Sequence, residues 1–276
     1  MFTRVISFAI VIAVSACNGQ SSNAASGQVL QDIQYGSAGG ERLLLDVYEP
    51  PAQSGQIHPA VVLIHGGGWT SFDKSTMRTM GQFLSREGFV AFAVDYRLFD
   101  GKKNRWPDQL DDVELAVRWI RANAAKYNVN PDRIGAFGHS AGAQLAALLG
   151  VHHDVQAVVD VSGPSDLCSS RDNPDDAHFL ANFLGGSVDQ KQACLTASPA
   201  GLVAAGDPPF LIVHGTRDPQ VPIAQSQELY DKLKADSVPV SFIKVDDVHT
   251  FQTPDARRTL AIQTLAFFNR YLSAPQ

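Results

Sequence analysis

From Val29 onward, short apolar runs alternate with segments of helical periodicity. Residues 43–48, 59–65, 89–95, 133–137, 155–161, 209–214 and 240–245 read as strands. Ala60-Val61-Val62-Leu63-Ile64 is apolar without interruption, as a strand covered on both faces would be. Residues 74–86, 108–127, 141–150, 223–234 and 254–271 carry helical spacing. The span 108–127 is the clearest of these: Leu110, Val113, Val117 and Ile120 share one face, and Pro107 stands just before it. Strands and helices alternating in this way predict an α/β domain with a mostly parallel central sheet flanked by helices. Residues 163–206 lack clean periodicity and are too many for a plain connection. They are expected to form a small cap inserted over the site.

The first residues follow a different rule. Arg4 precedes an apolar stretch, residues 5–14, which is followed by Ser15-Ala16 and then Cys17. Such a stretch fits the core of an export signal and falls short of the ~18–20 residues needed to span a bilayer. Residues 1–16 are therefore expected to be a signal peptide. Val14-Ser15-Ala16-Cys17 resembles the lipobox of bacterial lipoproteins, which implies lipidation of Cys17. Ordinary secretory cleavage after Ala16 fits the same residues. Residues 17–28 would then be a flexible tether rich in Ser, Asn, Gly and Gln, and residues 29–276 the catalytic domain. The expected location is the periplasmic side of the outer membrane, or otherwise the periplasm or the medium. The lipid would be the only membrane contact.

Composition narrows the class further. The chain has 276 residues, of which 45% are apolar and 18% charged, so disorder is excluded for most of its length. Its net charge is −6, with no basic run longer than the pairs Lys102-Lys103 and Arg257-Arg258, so nucleic acid is excluded as a partner. Nothing in the sequence fixes the oligomeric state. Three cysteines in an exported chain leave one odd thiol unless Cys17 is consumed by lipid. Cys168 and Cys194 would then be free to pair in an oxidising compartment, the alternative being two buried thiols that never meet.

Gly138-His139-Ser140-Ala141-Gly142 stands between a predicted strand and a predicted helix. A turn this sharp strains the backbone at Ser140, and the flanking glycines remove side chains that would clash. It would lift the Ser140 hydroxyl above the sheet at a helix N-terminus, which favours negative charge. His65-Gly66-Gly67-Gly68-Trp69 directly follows the buried strand. Three consecutive glycines add no packing, so something there needs bare backbone. An oxyanion hole built from the amides of Gly67, Gly68 and Ala141 is such a need. Phosphate-binding glycine spacings are absent.

An activated serine needs a base and an orienting carboxylate. His249 lies between the strand at 240–245 and the last helix, at the carboxyl edge of the sheet where ligands bind in such folds. The other histidines fit less well. His65 is expected to brace its loop, His214 to pack, and His139 to fill the elbow's variable position. His152 and His153 with Asp154 hint at a metal but read better as a solvated turn, so no metal and no cofactor is expected. Asp218, four residues after His214, is favoured as the acid, with Asp166 next. The order Ser140, Asp218, His249 is that of the α/β-hydrolases.

These motifs, with Asp95-Tyr96-Arg97-Leu98, Ser162-Gly163-Pro164-Ser165-Asp166-Leu167 and His214-Gly215-Thr216-Arg217-Asp218, resemble the α/β-hydrolase esterase/lipase superfamily. The likeness is nearest to its secreted, feruloyl-esterase-like carboxylesterase branch and covers nearly the whole mature chain. It implies the α/β-hydrolase fold, Ser140 as nucleophile, His249 as base, Asp218 as acid and Gly67, Gly68 and Ala141 as oxyanion donors. The expected substrates are esters of small molecules or saccharides: short-chain acyl, acetylated-sugar or hydroxycinnamoyl. Thr250 stands where relatives usually carry Gly, and Ala143 where many carry another Gly. The elbow also resembles that of kynurenine formamidases, whose cytosolic role the export signal opposes. An exported binding lipoprotein on the same fold is the non-enzymatic alternative. Trp69, Phe72, Trp106 and Phe179 are candidates to line acyl or aromatic pockets, or simply to pack.

Overall fold

A computed structural model describes residues 27–51, 55–169, 174–185 and 190–273. The expected signal peptide, Cys17 and all but the last two residues of the tether lie outside them. Eight strands form one sheet in the order β1-β2-β4-β3-β5-β6-β7-β8. They are β1 (Val29–Ala38), β2 (Glu41–Tyr48), β3 (His58–Ile64), β4 (Val90–Val94), β5 (Val129–His139), β6 (Ala157–Val161), β7 (Phe210–Gly215) and β8 (Val240–Val245). β2 runs antiparallel to both β1 and β4, and every pairing from β4 to β8 is parallel. The helices are α1 (Arg78–Arg86), α2 (Asp108–Ala122), α3 (Ala141–Val151), α4 (Pro174–Phe183), α5 (Gln190–Thr196), α6 (Ile223–Ala235) and α7 (Pro254–Leu272).

The uninterrupted apolar run of β3 is explained by two cores. Val62 and Ile64 enter one apolar cluster with Val113 of α2, Leu148 of α3 and Leu229 of α6. Val61 and Leu63 enter another with Leu84 of α1 and Phe268 of α7. All four side chains are fully buried, each contributing about 1.5–3 kcal/mol. α3 is buried along its whole length, as expected of a helix that is apolar all round.

Three features differ from the sequence reading. β1 was not expected: its pairing with β2 slips at Leu30/Ile33 and again at Gln34/Gly36, and Asp32 has φ 56°. Such bulges erase the two-residue alternation by which a strand is recognised. The helix expected over 108–127 stops at Ala122, where the Asn123 side chain bonds back to the Trp119 carbonyl, and a short 3-10 turn follows. The aperiodic stretch 163–206 contains α4, α5 and a 3-10 turn at Pro199–Gly201. Cys168 and Cys194 are joined by a disulfide with Cα atoms 5.2 Å apart, tying the start of this insertion to α5.

Asp160 in β6 is 1% exposed and accepts a hydrogen bond from the Gly163 amide. Burial pushes its carboxyl up to about 6. A group whose pKa is raised on folding adds stability below its unfolded pKa and loses it as pH rises through the folded one. Asp160→Asn should therefore unfold close to wild type at pH 4. At pH 8 it should be more stable by about 1–3 kcal/mol, read as a higher Tm. Equal melting at both pH values would show that the carboxyl stays ionised at no cost. For the cysteines, intact mass after alkylation without reduction should show Cys168 and Cys194 unmodified. Two alkyl groups on them would exclude the bond in solution.

Candidate active site

β5 ends at His139 and α3 begins at Ala141, so the chain reverses at the single residue Ser140. Its φ of 57° and ψ of −123° lie where a residue with a Cβ is strained, at a cost of about 1–3 kcal/mol. The turn is held by the Ser140 amide donating to the Val161 carbonyl at 2.8 Å. Its own carbonyl accepts from Ala143 at 2.9 Å. A Cβ on Gly138 would collide with the backbone of Gly142, and one on Gly142 with the carbonyls of Ile64 and His65. Bare backbone at these two positions seats α3 against the end of β3, which brings the loop after β3 beside Ser140.

That loop is braced as expected. The His65 ring stacks on Tyr96 with centroids 4.3 Å apart, its Nδ1 lies 2.7 Å from the Gly66 carbonyl, and Tyr96 donates to the His65 carbonyl. Burial drives the His65 pKa down to about 4, so the ring is neutral. Gly67 and Gly68 have φ of 110° and 56°, and the Gly67 carbonyl accepts from Thr70 and Ser71. Gly68, Ala141 and Ser140 line one cavity of about 240 Å³, with Gly67 immediately before Gly68 in the loop. Trp69, Pro164, Leu167, Phe179, Leu180, Val221 and Pro222 supply its apolar wall. Trp69 is fixed by its indole N–H bonding to Gln144 of α3 at 3.1 Å. Of the other aromatic candidates, Phe72 is exposed, and Trp106 is buried with its indole N–H on Thr196.

His249 and Asp218 come from the loops after β8 and β7. The His249 Nδ1 lies 2.6 Å from Asp218 Oδ2, and both side chains are buried. Burial alone would raise the Asp218 carboxyl. Bonds from the Val221 amide, the His249 ring and the Gln220 amide outweigh it and hold it below the ordinary range. Asp166, the second choice, is elsewhere: its Oδ1 accepts from the amides of Cys168 and Ser169. Asp246 pairs with Arg217, and Asp247 caps the loop through Val248 and Thr253.

Two histidines have contacts that the sequence reading did not assign. His214 Nε2 lies 3.1 Å from Asp218 Oδ2 and 3.0 Å from the Val221 carbonyl, and Nδ1 lies 2.7 Å from Ser226 Oγ. Burial lowers its pKa, and its Nε2 is shared between the Val221 carbonyl and the nearby Asp218 carboxylate. His139 Nε2 lies 2.9 Å from the His249 carbonyl. Both positions sit within catalytic-looking motifs, and that proximity was the signal available. Gln225 was also missed: it receives the Ser165 and Asp166 amides and lines the cavity, stitching the insertion to α6. His152 bonds Glu114 at 3.1 Å with Asp154 nearby, far along the chain from these loops.

A mostly parallel sheet flanked by helices, with the serine at the β5–α3 turn and the acid and histidine on the loops after β7 and β8, is the α/β-hydrolase fold. Among solved structures, a truncated carbohydrate esterase from gut microbiota superposes with a TM-score of 0.75 at 25% identity, over 90% of this chain and 98% of that one. Thermogutta terrifontis esterase 2, phosphonylated by sarin, gives 0.78 at 25% identity, over 94% and 100%. Among curated relatives, the Mycobacterium tuberculosis esterases LipQ and LipC are 31% and 30% identical over 79% and 78% of this chain. The chain spans only 56% and 59% of their lengths. The BD-FAE family model matches residues 45–233, well over half of the sequence. The chain belongs to the BD-FAE family of α/β-hydrolases.

Proposed function

We propose that this protein is a serine carboxylesterase acting on short-chain acyl, acetylated-sugar or hydroxycinnamoyl esters. The observation that carries this reading is the 2.6 Å bond between His249 and Asp218, set beside an elbow that presents Ser140 at the N-terminus of α3. Ser140 Oγ attacks the ester carbonyl while His249 takes its proton. Asp218 fixes the ring's tautomer and stabilises the imidazolium. The amides of Gly67, Gly68 and Ala141 receive the developing oxyanion. His249 returns its proton to the leaving alkoxide, and the acyl group stays on Ser140 as an ester. Water, deprotonated by His249, then releases the acid and regenerates the serine. The relatives named as esterases support this reading, as does the carbohydrate esterase among the structural neighbours.

We also propose that the chain is exported and held by lipid on Cys17. The Cys168–Cys194 disulfide supports export, because such bonds persist in oxidising compartments.

Ser140→Ala should abolish hydrolysis of p-nitrophenyl esters with its Tm unchanged, and a fluorophosphonate probe should label wild type but not this variant. Activity within about tenfold of wild type would sink the assignment. Asp218→Asn should lower kcat by about 10²–10⁴, and greater damage from Asp166→Asn would mean that the other carboxylate is used. A panel of rising acyl length, with methyl ferulate, acetylated xylan and an N-formyl anilide, identifies the preferred class. Dominant hydrolysis of the formamide would favour an amidase. Wild type should fractionate with membranes, while Cys17→Ser becomes soluble or stays unprocessed with equal activity. Soluble wild-type protein with an unmodified Cys17 would leave ordinary secretion.

A further inference from the structure

The loop carrying His249 borders an open cavity on one side, although Phe251 is buried in the core beside it. A cavity of about 520 Å³, lined by Met80, Phe83, Phe137, Leu260 and other apolar side chains, lies against it and reaches His139, Thr250 and Phe251. Phe251 anchors the loop in the core, and discrete bonds place the rest of it. Asp247 closes it on itself through Thr253. Arg257 Nε donates to the Phe251 carbonyl at 2.8 Å, and Asp218 holds the His249 ring. The Arg217 amide donates to the Asp247 carbonyl at 3.0 Å. A further bond joins the loop to the elbow: His139 Nε2, from the residue preceding Ser140, lies 2.9 Å from the His249 carbonyl. The two rings are 4.9 Å apart and tilted by 45°.

We propose that His139 is a positioning residue, whose Nε2–H donates to the His249 carbonyl and thereby keeps the His249 imidazole in register with Ser140. This rests on the reading of His249 as the general base. A carbonyl can only accept, so the proton must be on Nε2 and the neutral ring has none on Nδ1. His139 and Ser140 are adjacent in one rigid turn. A bond from His139 to His249 therefore fixes the base relative to the nucleophile, across a gap that Asp218, from another loop, does not bridge. His139 also has to stay neutral while its neighbour becomes an imidazolium. Burial, with the nearby His249 and His214 adding to it, drives its pKa down to about 4 against the opposing pull of Asp218 and of its own bond.

The test compares variants of the full chain on a p-nitrophenyl ester. His139→Phe keeps a planar ring without the donor, and His139→Gln keeps an amide donor without the ring. The Phe variant should lose about 10- to 100-fold in kcat with KM unchanged. The Gln variant should recover to within about threefold of wild type. A Phe variant within about threefold of wild type, or a Gln variant as damaged as Phe at an unchanged Tm, overturns the proposal. Should both variants misfold, the imidazole 15N shifts of wild type at neutral pH decide: the Nε2–H tautomer at His139 is expected, and an Nδ1–H tautomer overturns it. Ser140→Ala and His249→Ala run in parallel. If either stays active, the esterase reading itself fails. If both are dead and His139→Phe is not impaired, only the role of His139 fails.

Discussion

The site depends on how closely the backbone of α3 approaches the end of β3. Gly142 is the contact point with β3 and Gly138 that of β5 with the first turn of α3, and a methyl at either would strike main-chain atoms. With α3 seated there, Ser140 is forced to φ 57°, and the loop from His65 to Trp69 is brought alongside it. The strain at Ser140 persists because α3 and the stretch of β5 from Ile134 to Gly138 are buried and over-determine its conformation. Stability of the double-faced sheet is thus converted into the geometry of one side chain.

Around this crossing, polar groups are arranged so that their charge states differ. Asp218 collects two amides and two histidine nitrogens, and its carboxyl lies below the ordinary range. His65, His139 and His214 are all depressed by burial. They act as hydrogen-bonding braces, one on the glycine loop, one on the His249 backbone and one on the Val221 carbonyl beside Asp218. Four histidines within this small region could compete for protons. Desolvation of three of them removes most of that competition.

The insertion after β6 shapes the cavity from above. Leu167, Phe179 and Leu180 face it from residues on either side of the disulfide and from α4. Phe179 stacks toward Trp69 and Phe183, with centroids 6.4 and 5.9 Å away, so the roof joins the wall supplied by the glycine loop. Gln225 and Gln144 are the polar ties that carry this roof on α6 and α3. The roof of the cavity therefore comes from a part of the chain with weak sequence periodicity, supported by side chains on the regular scaffold.

The sequence by itself determined the α/β class and seven of the eight strands, because burial on two faces leaves uninterrupted apolar runs that survive as local patterns. It also determined the serine elbow and the bare-backbone loop, since glycine at fixed offsets from a serine or a strand end records a local steric demand. The choice of Asp218 over Asp166 was legible only in its place on the loop after the strand at 209–214 and in the His214–Asp218 motif, because chain order fits both. The 2.6 Å bond that distinguishes their environments is tertiary. β1 was hidden because bulges destroyed its alternation. The second contacts of His139 and His214 were hidden for a different reason. The partner of His139 lies on another loop, 110 residues away, and those of His214 follow in its own loop and in α6. A ring bonded to a backbone carbonyl leaves no compositional trace. Local sterics write themselves into sequence, whereas hydrogen bonds between loops exist only once the sheet has brought its strand ends together.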